Sequence, residues 1–163
     1  MDASQFVERY RLIYRDLYRF ALCMLGNVHD AEDAVSESVA TGWEKRGQLR
    51  RASAFKSWMF QIAANCCRQK LRGAKRFEVT DMNDIDAPSG SEVEPAEAAA
   101  VREAFASLPE TDRLIVSLSV FGGYTSREIG VIANLNPATV RSRRMRALEK
   151  MERFWEVPAH EVV

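Results

Sequence analysis

The chain lacks any run approaching the roughly 18 consecutive apolar residues of a membrane-spanning helix, so no membrane insertion is expected. Its start, Met1-Asp2-Ala3-Ser4-Gln5, lacks the basic and apolar regions of a secretory signal, which predicts a soluble, cytoplasmic protein. Cysteines number only 3, and Cys66 and Cys67 are adjacent, a poor disulfide framework. With only His29 and His160 beside them, the spaced Cys and His ligands of a zinc site are missing. Free buried or half-buried thiols are expected, with no metal and no cofactor. No glycine loop able to cradle phosphate occurs, nor a Ser-His-Asp or paired-carboxylate arrangement. Enzymatic chemistry by this chain is therefore not expected.

Net charge is also lacking: 23 Lys and Arg balance 23 Asp and Glu. Zero charge argues against a nucleic-acid partner until it is mapped along the chain. Residues 1–76 hold 14 basic and 8 acidic residues, a balance of +6. Residues 77–99 hold no basic residue and 7 acidic ones, −7. Residues 100–163 hold 9 and 8, +1. Two basic or locally basic blocks thus flank an acidic strip, and that segregation matters more than the sum.

What is present is helical periodicity, with neither internal repeats nor β alternation. Phe6, Tyr10, Ile13, Leu17, Phe20, Ala21 and Met24 follow the three-and-four spacing of one helical face. Gly26-Asn27 ends that helix. A second is expected from Asp30 to about Trp43, with Ala31, Ala34, Val35, Val39 and Trp43 inward. A basic loop at 46–53 leads to a third helix, about Ala54 to Arg72, with Phe55, Met59, Ile62 and Cys66 on one stripe. Residues 77–95 are acidic and carry Pro, Gly and Ser, a linker by composition. The helical pattern resumes at Ala96, pauses at Leu108-Pro109, and runs again from Glu110 to Phe121 before Gly122-Gly123. With 47% apolar residues, this is expected to be an all-α chain of two small helical domains, 1–76 and 96–157, joined by the 77–95 linker.

The strongest local signal spans Thr125 to Met151. Thr125-Ser-Arg-Glu128 fits a capping box. Ile129, Ile132 and Ala133 form a short apolar stripe, and Asn134-Leu135-Asn136 makes a tight turn. Asn136 can cap the next helix, whose first position suits Pro137. Leu135 and Val140 would lock the two helices together. This is a helix-turn-helix pattern, and its second helix carries four arginines and no acid within residues 138–147. The start of that helix meets base edges in the major groove in such motifs. Arginine can pair with guanine or phosphate, and Thr139 and Ser142 are short enough for close approach.

A second basic stretch, Lys45 to Arg76, holds ten Lys or Arg interleaved with Phe55, Trp58 and Phe60. Basic residues among aromatics suit single-stranded DNA. Phe55 and Trp58 lie near the apolar stripe, which favours the core for each over a stacking platform. Asn65 sits mid-helix, where asparagine is a mediocre helix former, and carries the donors and acceptor that a base edge requires. On the second helix, Asp33, Ser36 and Glu37 share one side, an acidic patch in a basic domain.

These residues together resemble the extracytoplasmic-function sigma factors, group 4 of the sigma-70 family, which keep only regions 2 and 4. Asp30-Ala-Glu-Asp-Ala-Val-Ser-Glu37 is similar to the region 2.2 signature, and Trp58-Met-Phe-Gln-Ile-Ala-Ala-Asn65 to that of regions 2.3–2.4. Leu108-Pro109, Arg113, Glu128-Ile129 and Thr139-Val-Arg-Ser-Arg143 resemble region 4. The resemblance covers about residues 6–76 and 97–152 and implies an alternative sigma factor. Its partners would be core RNA polymerase (through the β′ clamp helices and the β flap), promoter DNA and an anti-sigma factor. Asp33, Ser36 and Glu37 would dock the clamp helices. Arg50, Arg51, Ser53, Phe55, Lys56, Asn65, Arg68, Gln69 and Arg72 would meet the −10 element. Thr125, Ser126, Arg127, Pro137, Ala138, Thr139, Arg141, Ser142, Arg143 and Arg146 would meet the −35 element.

Three positions depart from the family. Ser36 stands where glutamine is usual, which weakens or alters that docking contact. Asn134 replaces a turn glycine, and asparagine tolerates the left-handed conformation. Arg144 replaces an apolar residue, four after Val140; it faces the core side unless its stem snorkels, and Met145 is expected to supply the lost packing. A polymerase-independent helix-turn-helix regulator and a sigma-mimicking decoy are the alternatives. The first usually dimerises on two half-sites, and the second should not need the arginines.

Overall fold

The computed structural model describes residues 1–73 and 95–154, with the side chains of 95–98 left out. All but Pro95 of the expected 77–95 linker lies outside the described residues, as does the end of the expected 96–157 domain. Among the described residues there are seven α-helices and no strand. Helices α1 (Ala3–Leu25), α2 (Val28–Glu44) and α3 (Phe55–Gly73) pack on one another. Helices α4 (Pro95–Ala106), α5 (Glu110–Val120), α6 (Ser126–Ala133) and α7 (Pro137–Glu152) form a second group. No described helix is long and apolar enough to cross a membrane.

Local chemistry sets the helix ends. Asp2 opens α1 with a capping box: its side chain accepts from the Gln5 N–H, and the Gln5 side chain accepts from the Asp2 N–H. Gly26 closes α1 in the left-handed region at φ 70, its N–H donating to the Leu22 carbonyl at 2.7 Å. The second helix begins earlier than the expected Asp30. Asn27 is the true cap, accepting from the Asp30 N–H at 3.1 Å, so a single residue separates the end of one helix from the cap of the next. The expected basic loop at 46–53 contains two short 3-10 turns, Arg46–Gln48 and Ala52–Ala54. Arg9 donates to the Ala52 carbonyl at 3.2 Å and ties the second turn to α1.

Leu17, Phe20, Met59 and Phe60 are fully buried in the first group, each worth about 1.5–3 kcal/mol for its removal from water. Three edge-on aromatic pairs knit α1 to its neighbours, Phe6 with Trp43 of α2 and Phe6 with Phe55 and Phe20 with Phe60 of α3. Gly42 allows α2 to approach α3, since a Cβ there would meet the Met59 sulfur at 2.6 Å. The core does not stop at the first group. It continues through Leu114, Ile115 and Leu118 of α5 to Ile129, Ala133 and Val140. Helix α1 packs directly on α5 and α4, and Cys23 joins a smaller cluster of Phe105, Leu108, Val116 and Met151.

Candidate nucleic-acid interface

The α6–turn–α7 segment is built as its sequence predicts. Thr125 accepts from the Glu128 N–H at 3.2 Å, and the Glu128 carboxylate accepts from both the Thr125 N–H and its hydroxyl. Asn134 takes the left-handed conformation at φ 56, the only non-glycine to do so among the described residues. The Leu135 N–H donates to the Gly130 carbonyl at 2.9 Å, and a Cβ on Gly130 would lie 2.6 Å from the Leu135 carbonyl oxygen. Only glycine permits so tight a corner. Asn136 then caps α7, accepting from Ala138 at 2.8 Å, with Pro137 in the first turn. Ile129 and Val140 are fully buried and hold the two helices together.

The opposite face of α7 presents Ala138, Arg141, Ser142 and Arg146 to solvent, with Thr139 beside them and Arg127 exposed on α6. Met145 joins this face at 61% exposure. Contrary to expectation, it does not supply the packing missing at Arg144; five residues after Val140, helical phase turns it outward. It can offer the kind of apolar contact that a thymine methyl accepts. Arg144 is half-buried. Arg143 is also half-buried and donates to Asp112 of α5 at 3.2 Å. Ser126 is a correction: at 8% exposure it is turned into the protein and cannot meet DNA.

On α3, Asn65, Gln69 and Arg72 are exposed on one face with half-exposed Arg68. Gln61 sits on the same face one turn before Asn65 and went unmarked in the sequence, because an exposed glutamine on a helix carries no composition signal. Arg50, Arg51 and Ser53 are exposed in the preceding segment, and Lys56 in the first turn of α3. Phe55 is the second correction. At 3% exposure it packs edge-on against Phe6 at 5.3 Å and belongs to the core, not to a stacking platform. Phe60 is likewise fully buried. Arg46 lies over the Trp43 ring at 3.7 Å and donates to its carbonyl at 2.7 Å, so it braces the loop.

On α2, Asp33, Ser36 and Glu37 are all exposed and share a face. Glu37 accepts from Lys70 of α3 at 3.4 Å, an exposed pair of small energetic weight. The thiols are free. Burial pushes both Cys23 and Cys67 up to about 12. Burial lowers Arg113, with Glu110 opposing the shift. Among the described residues, no His, Cys, Asp and Glu group could hold a metal ion.

A basic face on the second helix of a helix-turn-helix, beside a polar and basic face on a separate bundle, is the surface of a DNA-binding protein with two recognition elements. Sigma-70 region 2 matches residues 9–77, and sigma-70 region 4 matches residues 98–151. The chain is 30% identical over 137 residues to the RNA polymerase sigma factor SigV of Bacillus subtilis, covering 84% of this chain and 82% of that protein. It is 27% identical over 153 residues to the ECF RNA polymerase sigma factor SigM of Mycobacterium tuberculosis, covering 94% and 78%. Its fold is that of a sigma factor, RpoE of Bartonella quintana, solved with the anti-sigma factor NepR (TM-score 0.76, 21% identity, 93% of this chain and 97% of that one). CnrH, solved with the cytosolic domain of CnrY, also has this fold (TM-score 0.67, 18% identity, 92% and 86%). The chain belongs to the extracytoplasmic-function sigma factors of the sigma-70 family. It is an alternative sigma factor, a transcription initiation factor and not an enzyme.

Proposed function

We propose that the chain docks on core RNA polymerase in the cytoplasm and reads a promoter in two physical states. The unit 1–76 takes the melted −10 strand on the α3 face, through Asn65, Arg68, Gln69 and Arg72 with Arg50, Arg51, Ser53 and Lys56 alongside. The unit 96–157 reads −35 duplex with Thr125, Arg127, Pro137, Ala138, Thr139, Arg141, Ser142, Arg143 and Arg146, and sits on the β flap. Residues 77–95 join them. Asp33, Ser36 and Glu37 meet the β′ clamp helices, and an anti-sigma factor is the natural antagonist. The observation that carries this reading is the pairing of two exposed recognition faces, on α3 and α7, each backed by buried apolar residues that fix its orientation.

The test is reconstitution with core polymerase and a promoter library with randomised −35 and −10 positions. Transcription from a selected subset that requires the chain is expected. Arg141→Ala should relax selection at −35 by about 1–3 kcal/mol per contacted base pair, and Asn65→Ala should relax selection at −10 alone. Failure to co-elute with core polymerase would overturn the reading.

A further inference from the structure

Two arginines from different elements, Arg9 of α1 and Arg46 of the first 3-10 turn, line one cleft of about 200 Å³ together with Gln5, Leu49 and Ala52. Both arginines are half-buried. The Arg9 Nη1 donates to the Ala52 carbonyl at 3.2 Å, and the Arg46 Nη1 donates to the Trp43 carbonyl at 2.7 Å. The Trp43 ring covers a face of the Arg46 guanidinium at 3.7 Å, which leaves the N–H edge to bond. Most of the donors of each guanidinium remain available.

Carbonyl partners fix the two forks but cancel no charge. None of the six residues that line the cleft is acidic. The ion pairs among the described residues involve Arg68, Lys70 and Arg143, and neither of these two arginines. Two like charges thus share a concave, partly desolvated site, an arrangement that an anion relieves. Gln5 adds a third donor. Its Oε1 accepts from the Asp2 N–H at 3.1 Å, so its NH2 is the group left to donate.

We infer that this cleft binds the terminal phosphate of a small molecule, a phosphate monoester or diphosphate, bridged between Arg9 and Arg46. Arginine forks meet phosphate oxygens two at a time. A terminal phosphate carries nearly two negative charges at neutral pH, which matches two arginines, whereas each phosphodiester of DNA carries one. The same two side chains tie down both ends of the segment between Trp43 and Ala52, which leads into Ser53 and carries Arg50 and Arg51. A bound phosphate therefore stiffens that segment and changes its grip on a single strand. This consequence rests on the −10 assignment above; the site itself does not.

Calorimetric titration of inorganic diphosphate into the full chain, at constant ionic strength set with chloride, tests the site without polymerase. The wild type should bind saturably, and Arg9→Gln and Arg46→Gln should each weaken binding by about tenfold or more. Arg46→Gln also removes a loop brace, so Gln5→Glu is the second variant. Glutamate still accepts from the N-cap N–H and keeps the capping box, while its carboxylate competes for both arginines. It should weaken diphosphate binding by about tenfold or more with helicity unchanged. A wild type that shows no saturable binding, or a Gln5→Glu chain that binds as well as the wild type, would overturn the site. If diphosphate fails to bind and Gln5→Glu instead weakens binding of a single-stranded oligonucleotide without terminal phosphates, the cleft serves a DNA backbone and the small-molecule assignment is overturned. Saturable diphosphate binding that leaves single-strand affinity unchanged upholds the site and overturns its hold on the loop.

Discussion

Asp112 on α5 reaches Arg143 on α7 at 3.2 Å, so one arginine of the helix-turn-helix is held by a carboxylate from its own unit. The pair is half-exposed, which limits its contribution to stability to at most about 1 kcal/mol. If Arg143 contacts −35 DNA as proposed, the role of Asp112 is to orient it. Arg143→Ala should weaken −35 duplex binding about tenfold and reduce the salt slope by about one. Asp112→Ala should weaken binding less and leave the slope unchanged, because the cation remains. Duplex titrations at several salt concentrations separate the two; an unaltered slope in Arg143→Ala would make that arginine purely structural.

Gly130 tests the corner between α6 and α7. Alanine is the better helix former by about 1 kcal/mol. Here the new Cβ meets the Leu135 carbonyl at 2.6 Å, and backbone cannot rotate aside as a side chain can. Gly130→Ala should therefore lose about 1–3 kcal/mol in thermal unfolding and weaken −35 binding. A raised Tm would show that the corner relaxes freely.

Phe55 and Asn65 lie ten residues apart on α3 and should behave oppositely. Phe55→Ala empties the Phe6 contact and should cost about 3–5 kcal/mol in urea unfolding. Asn65→Ala is a surface change and should stay within about 0.5 kcal/mol while reducing transcription from a promoter that needs strand capture. Equal stability losses would mean that Asn65 has a structural role.

Cys23 and Cys67 favour the neutral thiol in the folded chain, with burial the leading cause and Cys66 adding to it at Cys67. The folded state then holds protons that the unfolded state releases above its thiol value of about 8.5. This stabilisation is full below about pH 8.5 and is lost as pH rises toward about 12. Urea midpoints should fall between pH 7.5 and pH 10, and iodoacetamide at pH 8 should spare fully buried Cys67 and label half-buried Cys23 slowly in native protein. Labelling at the rate of an unfolded peptide would contradict their burial.

Much of this was legible in the residues because it is local. The capping box at Thr125, the left-handed turn at Asn134 and the Asn136-Pro137 start are decided by backbone groups within four residues, and each formed as expected. The exposed faces of α3 and α7 follow from helical phase. Residue type misled where phase overruled it: Met145 is apolar yet points outward, and Ser126 is polar yet lies inside. By residue type and position Phe55 suits either the core or a stacking surface, and the Phe6 ring, 49 positions upstream, decides for the core. The Tyr124–Phe60 and Glu110–Arg68 contacts join residues 64 and 42 apart. Nothing in the neighbourhood of either residue announces such a partner.

The apolar core that runs from α1 through α5 into the helix-turn-helix also bears on how long the molecule lasts. While that core is shared, neither unit can loosen without disturbing the other, and the chain melts as one cooperative body that offers proteases little purchase. Any change that parts the units would leave each on its own smaller interior, so a defect in one would expose both to proteolysis.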